Sequence, residues 1–302
     1  MEITPQIYSL PAQPAFYTGP QSPNVFLVVD GSEGALIDSG FGDEKSVQER
    51  LQMLKAWRGL RLLYIVLTHH HFDHTSGAAQ MRKATGARTV LHEREEEFLR
   101  DWQGEAPQDI ELPGQEGQVG EALRRFRRQA AEAGPDVRVA DGDRLTVGSL
   151  TLEIVHTPGH TMGSVCVYLA EERALFTGDT ALGLGTVAIS PPPHGDMALY
   201  LKSLERLKGC DAALMLPGHG QPVRDVSHKL QELIDHRRER EDQILHLLAG
   251  GKRTPQAMLR VIYPELDKRI VPMALRQIEA HLAKLGAEGR VSRLGEGEWV
   301  LA

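Results

Sequence analysis

The chain has 302 residues, 41% of them hydrophobic and 25% charged, and a formal net charge of −7. Those values fit a soluble globular protein with room for two domains, and they exclude a surface coated for nucleic acid, though not a local basic patch. Two distant cysteines, Cys166 and Cys210, give no disulfide framework and fit a cytoplasmic setting; no secretory leader is read and no apolar run has the length of a membrane span.

In chain order, short apolar runs broken by Gly, Pro and Asp read as strands at 24–30, 34–40, 62–69, 87–93, 144–159, 164–179 and 212–220. Helical periodicity marks 44–57 and 197–209, with Asp196 placed to cap the second. Helices falling between strands predict an α/β layered domain. Residues 93–140 interrupt this rhythm as an insert. A helix begins it, a Gly/Pro/Gln-rich stretch follows, and a second helix covers 121–134. On that second helix Leu123, Phe126 and Ala130 share one face, while Arg124, Arg127 and Arg128 spread over the other. The arginine face is either a solvated surface or a lid that offers cations to an anionic substrate. After Gly220 the pattern changes to a long amphipathic helix over 227–251, helices over 254–269 and 270–290, and two short strands about a Gly-Glu-Gly turn. That is winged-helix order with a weakly basic balance. The predicted domains are therefore 1–226 and 227–302.

The segment THHHFDHTSG, residues 68–77, carries the chemistry. His69, His71, Asp73 and His74 meet the pattern H-x-H-x-D-H at the end of an apolar run. Four such side chains on six residues cannot all reach one ion, but in a tight loop they can serve two adjacent ones. His70 has the wrong parity and reads as a bystander. His160 in HTPGHTMGS, Asp179 in LFTGDT and His219 in LPGHG each follow an apolar run beside a glycine that lets the backbone turn sharply. Imidazole donors suit zinc, and a carboxylate can bridge two cations. His194 in PPPHGD is either a substrate contact or simply exposed. His156 and Cys166 read as packing residues from their strand parity.

Over residues 1–220 these motifs resemble the metallo-β-lactamase superfamily. The resemblance implies an αββα sandwich with two metals at one edge, here followed by a small winged-helix domain. It assigns His69, His71 and His160 to the first metal and Asp73, His74 and His219 to the second. Asp179 bridges both, and Asp38 in IDSG orients the ligands from behind. Aspartate rather than Cys or Ser at 179 points away from lactam hydrolysis. His71 in place of Glu points away from the diiron flavoprotein branch. The run PGHGQPVRD, a helix containing IDHRREREDQIL and the winged-helix segment look like the β-lactamase-like endoribonuclease subfamily.

The expected chemistry is hydrolysis with two divalent ions, zinc ahead of iron or manganese, sharing a hydroxide that Asp73 orients and whose proton it shuttles. The expected substrate is single-stranded RNA, drawn in by the basic residues of 124–128 and 237–240. The alternative is a thioester or ester hydrolase of the hydroxyacylglutathione hydrolase or acyl-carrier thioesterase type. A third reading is a regulator whose recognition helix, within 270–285, shows Arg276, Gln277, Glu279 and Lys284 to duplex DNA. A homodimer is compatible with all three, and no membrane partner is expected.

Overall fold

In the computed structural model, which describes residues 1–12, 22–100, 118–295 and 297–302, the chain divides into two units. The first comprises Met1–His156, Gly163–Gly185 and Asp211–Val226; the second comprises Thr157–Met162, Thr186–Cys210 and Ser227–Ala302.

The first unit is built on β1 (Glu2–Thr4), β2 (Ile7–Leu10), β3 (Val25–Asp30), β4 (Glu33–Ile37), β5 (Arg61–Val66), β6 (Arg88–His92) and β7 (Val137–Val139), which form one sheet in that order. A five-stranded sheet follows the order β12 (Leu214–Pro217), β11 (Ala174–Gly178), β10 (Val165–Leu169), β9 (Leu150–His156) and β8 (Arg144–Val147). Period-two alternation explains the layering. Phe26 and Val28 of β3 join Ile154, Val167 and Phe176 in a core between the sheets. Val25, Leu27 and Val29 turn the other way, into a second core. That core holds Val47 of α1 (Glu44–Leu54) and Met81 of α3 (Ala78–Thr85). The strands β4, β5 and β6 are parallel, so the loops after them leave the sheet on the same side.

Several elements depart from the sequence reading. The run 144–159 is two strands, because Gly148 (φ +59°) turns the chain between β8 and β9. The run 164–179 is likewise β10 and β11, separated by a 3-10 turn over Ala170–Glu172. The segment after β5 is no plain loop: Asp73 and His74 lie in the single-turn helix α2 (Phe72–Thr75). In the insert, a 3-10 turn (Glu93–Glu95), α4 (Glu96–Arg100) and α5 (Gln118–Ala131) are present. The Gly/Pro/Gln-rich stretch at 101–117 lies outside the described residues.

The second unit contains α6 (Met197–Lys208), α7 (Val226–Ala249), α8 (Pro255–Ile262), α9 (Val271–Ala287) and the hairpin of β13 (Val291–Leu294) and β14 (Glu298–Leu301). Asp196 caps α6 as expected, accepting from the Leu199 amide at 2.9 Å. Residues 254–269 are not one helix, since α8 stops at Ile262, just before Pro264, which has no amide proton to continue it. Ile244, Met258, Ile278, Leu282 and Val291 form this unit's own core. Two expectations are overturned here. Gln277 is buried, and Arg276, Glu279 and Lys284 are only partly exposed, with Lys284 paired to Glu241 at 2.9 Å. Of the α9 residues proposed to read DNA, Gln277 is therefore not offered to solvent. Arg237, offered as part of an RNA track, is fully buried.

Candidate metal centre

The segment after β5, the end of β11 and the loop after β12 bring six of the seven expected ligands together within the first unit. His69, His71 and Asp179 each offer a donor atom within 4.8 Å of the others, and so do Asp73, His74 and His219. Nε2 of His69 lies 3.0 Å from Nδ1 of His71, and Nε2 of His74 lies 3.2 Å from Nε2 of His219. Asp73 Oδ2 is 3.3 Å from Nε2 of His219, and Asp179 Oδ1 is 3.5 Å from Nε2 of His74.

Close backbone approaches make this convergence possible. Gly178 adopts φ +47° and leaves no room for a Cβ, which would meet the Thr68 hydroxyl at 2.5 Å. At Gly218 the constraint is proximity alone: a Cβ would sit 2.5 Å from Asp179 Oδ1. The amide of Gly218 donates to the Gly178 carbonyl at 2.7 Å, locking the Asp179 loop to the His219 loop. The side chain of Asn24 adds bonds to the carbonyls of Pro217 and Gly220, both at 2.8 Å.

Asp38 stands behind the ligands with φ +61°, a left-handed conformation that an Asp tolerates better than most residues. Its Oδ2 lies 2.8 Å from Nδ1 of His74 and 3.0 Å from the Thr68 hydroxyl, while Oδ1 accepts from the Thr68 amide at 2.8 Å. The Thr68 oxygen is in turn 3.0 Å from Nδ1 of His69. With Thr68 donating to Asp38, His69 donates from Nδ1, as does His74. Both rings then keep the Nε2 lone pair for the centre. Thr68 was not singled out in the sequence, although it opens the histidine motif. Glu95, buried beside His70, was also missed, because nothing local connects the two.

The surroundings of the other candidates differ. His160 follows β9 in the second unit, where its Nδ1 is 2.9 Å from the Ala188 carbonyl. His194 is half-buried in the turn ahead of α6. On α5, Arg124 and Arg128 are exposed and Arg127 half-buried, whereas Leu123, Phe126 and Ala130 are buried as expected. His156 stacks on His92 at 4.2 Å, and Cys166 is wholly buried.

The electrostatics fit a cation. Burial disfavours charge on His74, but Asp73, Asp179 and Asp38 outweigh it and push the imidazole up to about 10. Burial likewise opposes ionisation of Asp73, yet the His74, His219 and His71 rings hold it well below the ordinary carboxylate range. His219 is raised, against burial, by Asp179 and Asp73. Protons on the imidazoles thus balance the carboxylates, and metal ions would replace those protons. The 3.0–3.2 Å nitrogen spacings are also close to the edge of a zinc coordination tetrahedron, about 3.3 Å for bonds of about 2.0 Å.

Residues 18–219 match the Metallo-beta-lactamase superfamily, and residues 254–299 match the Beta-lactamase associated winged helix domain. A Drosophila melanogaster protein named Beta-lactamase-like protein 2 homolog is 30% identical over 92% of this chain and 88% of its own length. An Aspergillus fumigatus protein named Atrochrysone carboxyl ACP thioesterase is 28% identical over 77% of this chain and 62% of its own. The crystal structure of a metallo-beta-lactamase family protein from Thermus thermophilus superposes with a TM-score of 0.80 at 28% identity, covering both chains completely.

Proposed function

Since the chain belongs to the metallo-beta-lactamase superfamily, we propose that it is a binuclear metallohydrolase that cleaves single-stranded RNA. The observation that carries the hydrolase reading is the double donor set in front of Asp38: His69, His71 and Asp179 in one group and Asp73, His74 and His219 in the other, with the donor atoms of each group within 4.8 Å of one another. His69, His71 and His160 would hold one ion and Asp73, His74 and His219 the other, with Asp179 shared. His160 is assigned by its motif. Zinc suits this imidazole-rich set best. Bound divalent ions supply Lewis acidity and an activated water near neutral pH. Asp73, part-exposed beside His219, would orient a water at the centre and take up its proton on Oδ2. Asp38 and Thr68 fix the rings of His74 and His69 so that neither turns during the step.

An anionic substrate is supported by α5. Its apolar face packs Phe126 against Phe72, the neighbour of Asp73, with centroids 6.3 Å apart and rings 4° from parallel. Arg124 and Arg128 are exposed on that same helix. The relatives named as acyl-carrier thioesterases favour a second reading, hydrolysis of an acyl thioester. A panel of RNA, single-stranded DNA and acyl thioesters, with wild type and Asp73→Asn, separates them. RNA cleavage that falls at least about 100-fold in Asp73→Asn supports the proposal. Thioester turnover without RNA cleavage replaces it with the second reading, and full activity in metal-stripped protein overturns both.

A further inference from the structure

The imidazole of His160 is held by the peptide between Ala188 and Ile189. Its Nδ1 lies 2.9 Å from the carbonyl of Ala188, and the amide on the other edge of that peptide, Ile189 N–H, donates to Oε1 of Gln277 at 3.2 Å. In a trans peptide the C=O and N–H point in opposite directions. Fixing the N–H on α9 therefore aims the carbonyl at His160, and with Nδ1 donating there the Nε2 lone pair is left for a metal. The preceding peptide is held as well: Nη2 of Arg237, on α7, donates to the Val187 carbonyl at 2.6 Å. Arg237 is wholly buried, its guanidinium lies 5.2 Å from the centre of the Tyr200 ring, and its Nε and Nη1 make no hydrogen bond. Such a group is expensive to bury.

We propose that Gln277, with Arg237, is a positioning residue for the metal ligand His160, acting through the backbone of Val187–Ala188–Ile189. The helix α9 of the winged-helix segment would then bear on His160 through that backbone. This rests on the assignment of His160 to the first ion under the proposed function.

The test is a zinc titration of full-length, metal-stripped protein against a chelating competitor, with cobalt(II) absorption as a second readout. Gln277→Leu keeps the size and removes the acceptor; Gln277→Glu restores an acceptor. The expected result is that one metal equivalent binds Gln277→Leu about 10–100-fold more weakly, with an altered cobalt spectrum. The other equivalent keeps wild-type affinity, the metal-free protein melts at a modestly lower temperature because the buried Ile189 amide loses its acceptor, and Gln277→Glu recovers the first site. Arg237→Met, which also removes a costly buried charge, should show the same one-site loss and serves if Gln277→Leu does not fold. Two equivalents at wild-type affinity in both variants overturn the proposal while leaving the metallohydrolase reading intact. Equal weakening of both equivalents with a lower melting temperature also overturns it, because that is a general structural effect. A wild type that takes up no metal removes both readings together.

Discussion

Glu95 and His70 are joined by a two-point contact: Oε2 of Glu95 lies 2.7 Å from the His70 amide and 2.5 Å from its Nδ1. The other oxygen accepts from the amide of Gly163 at 2.5 Å. One buried carboxylate therefore ties the histidine motif to the entrance of β10. His70, although set apart from the ligand groups, is thereby an anchor for the residues on either side of it.

Glu95→Ala should be strongly destabilising. It strips the acceptor from three buried groups, at about 1–3 kcal/mol for each left without a partner. The expected loss in urea unfolding of the metal-free protein is at least about 3 kcal/mol. Glu95→Gln, which keeps one acceptor oxygen, should fall between the two. A loss in Glu95→Ala no larger than that of an average surface change would show that Glu95 is incidental.

The metal motif was legible because its donors sit within six residues and their spacing survives any fold. The flanking glycines were legible as turn signals, though at Gly218 the reason proved to be steric contact with Asp179 and not its own dihedral. What stayed hidden is what depends on distant chain. Thr68 and Asp38, Glu95 and His70, and Gln277 and Ile189 are paired by tertiary contacts that leave no periodicity. Helix α3 was overlooked although Gly86, left-handed at φ +75°, closes it as a C-terminal glycine should. Gln277 was misread because a polar residue on an amphipathic helix is usually solvated, whereas here it serves a buried amide.

Asp38 reaches a ligand of each proposed ion, His74 directly and His69 through Thr68. Asp38→Ala should therefore weaken both metal equivalents, by about 10–100-fold each. Thr68→Val should weaken chiefly the equivalent held by His69. Isothermal titration of metal-stripped protein reads the two steps separately. If Asp38→Ala binds two ions as wild type does, Asp38 merely orders its own turn.

If RNA is the substrate, Arg124→Glu/Arg128→Glu should weaken single-strand binding without disturbing the fold, since both side chains are exposed on α5. Each lost phosphate contact should reduce the slope of log K against log salt by about 0.7. Fluorescence anisotropy of a labelled oligonucleotide across a salt series measures this. An unchanged slope places the RNA path elsewhere, and unchanged catalysis as well reduces the arginine face to solvated surface.

The second unit should lose stability in mild acid, for a reason centred on α7 and α9. Burial holds the His281 imidazole below its ordinary value, with Arg237 and Arg240 adding to that and Glu241 opposing it. Its Nδ1 lies 3.5 Å from Glu241 Oε1, and Lys284 lies 2.9 Å from Oε2. Below about pH 6.5 the unfolded chain takes up a proton on this histidine that the folded chain does not. Stability is therefore fully present above that pH and declines as the pH falls towards the folded value. Burial opposes the charge on Glu241, but His281 and Lys284 outweigh it and hold the carboxyl below its usual range. Its contribution is present above the unfolded carboxylate value and is lost only at lower pH still, so the two losses fall in successive windows. His281→Leu should flatten the melting-temperature profile between about pH 7 and 5 while leaving the steeper acid limb in place. A wild-type profile level across that interval, or one that His281→Leu leaves equally steep, would mean that another group controls the acid response.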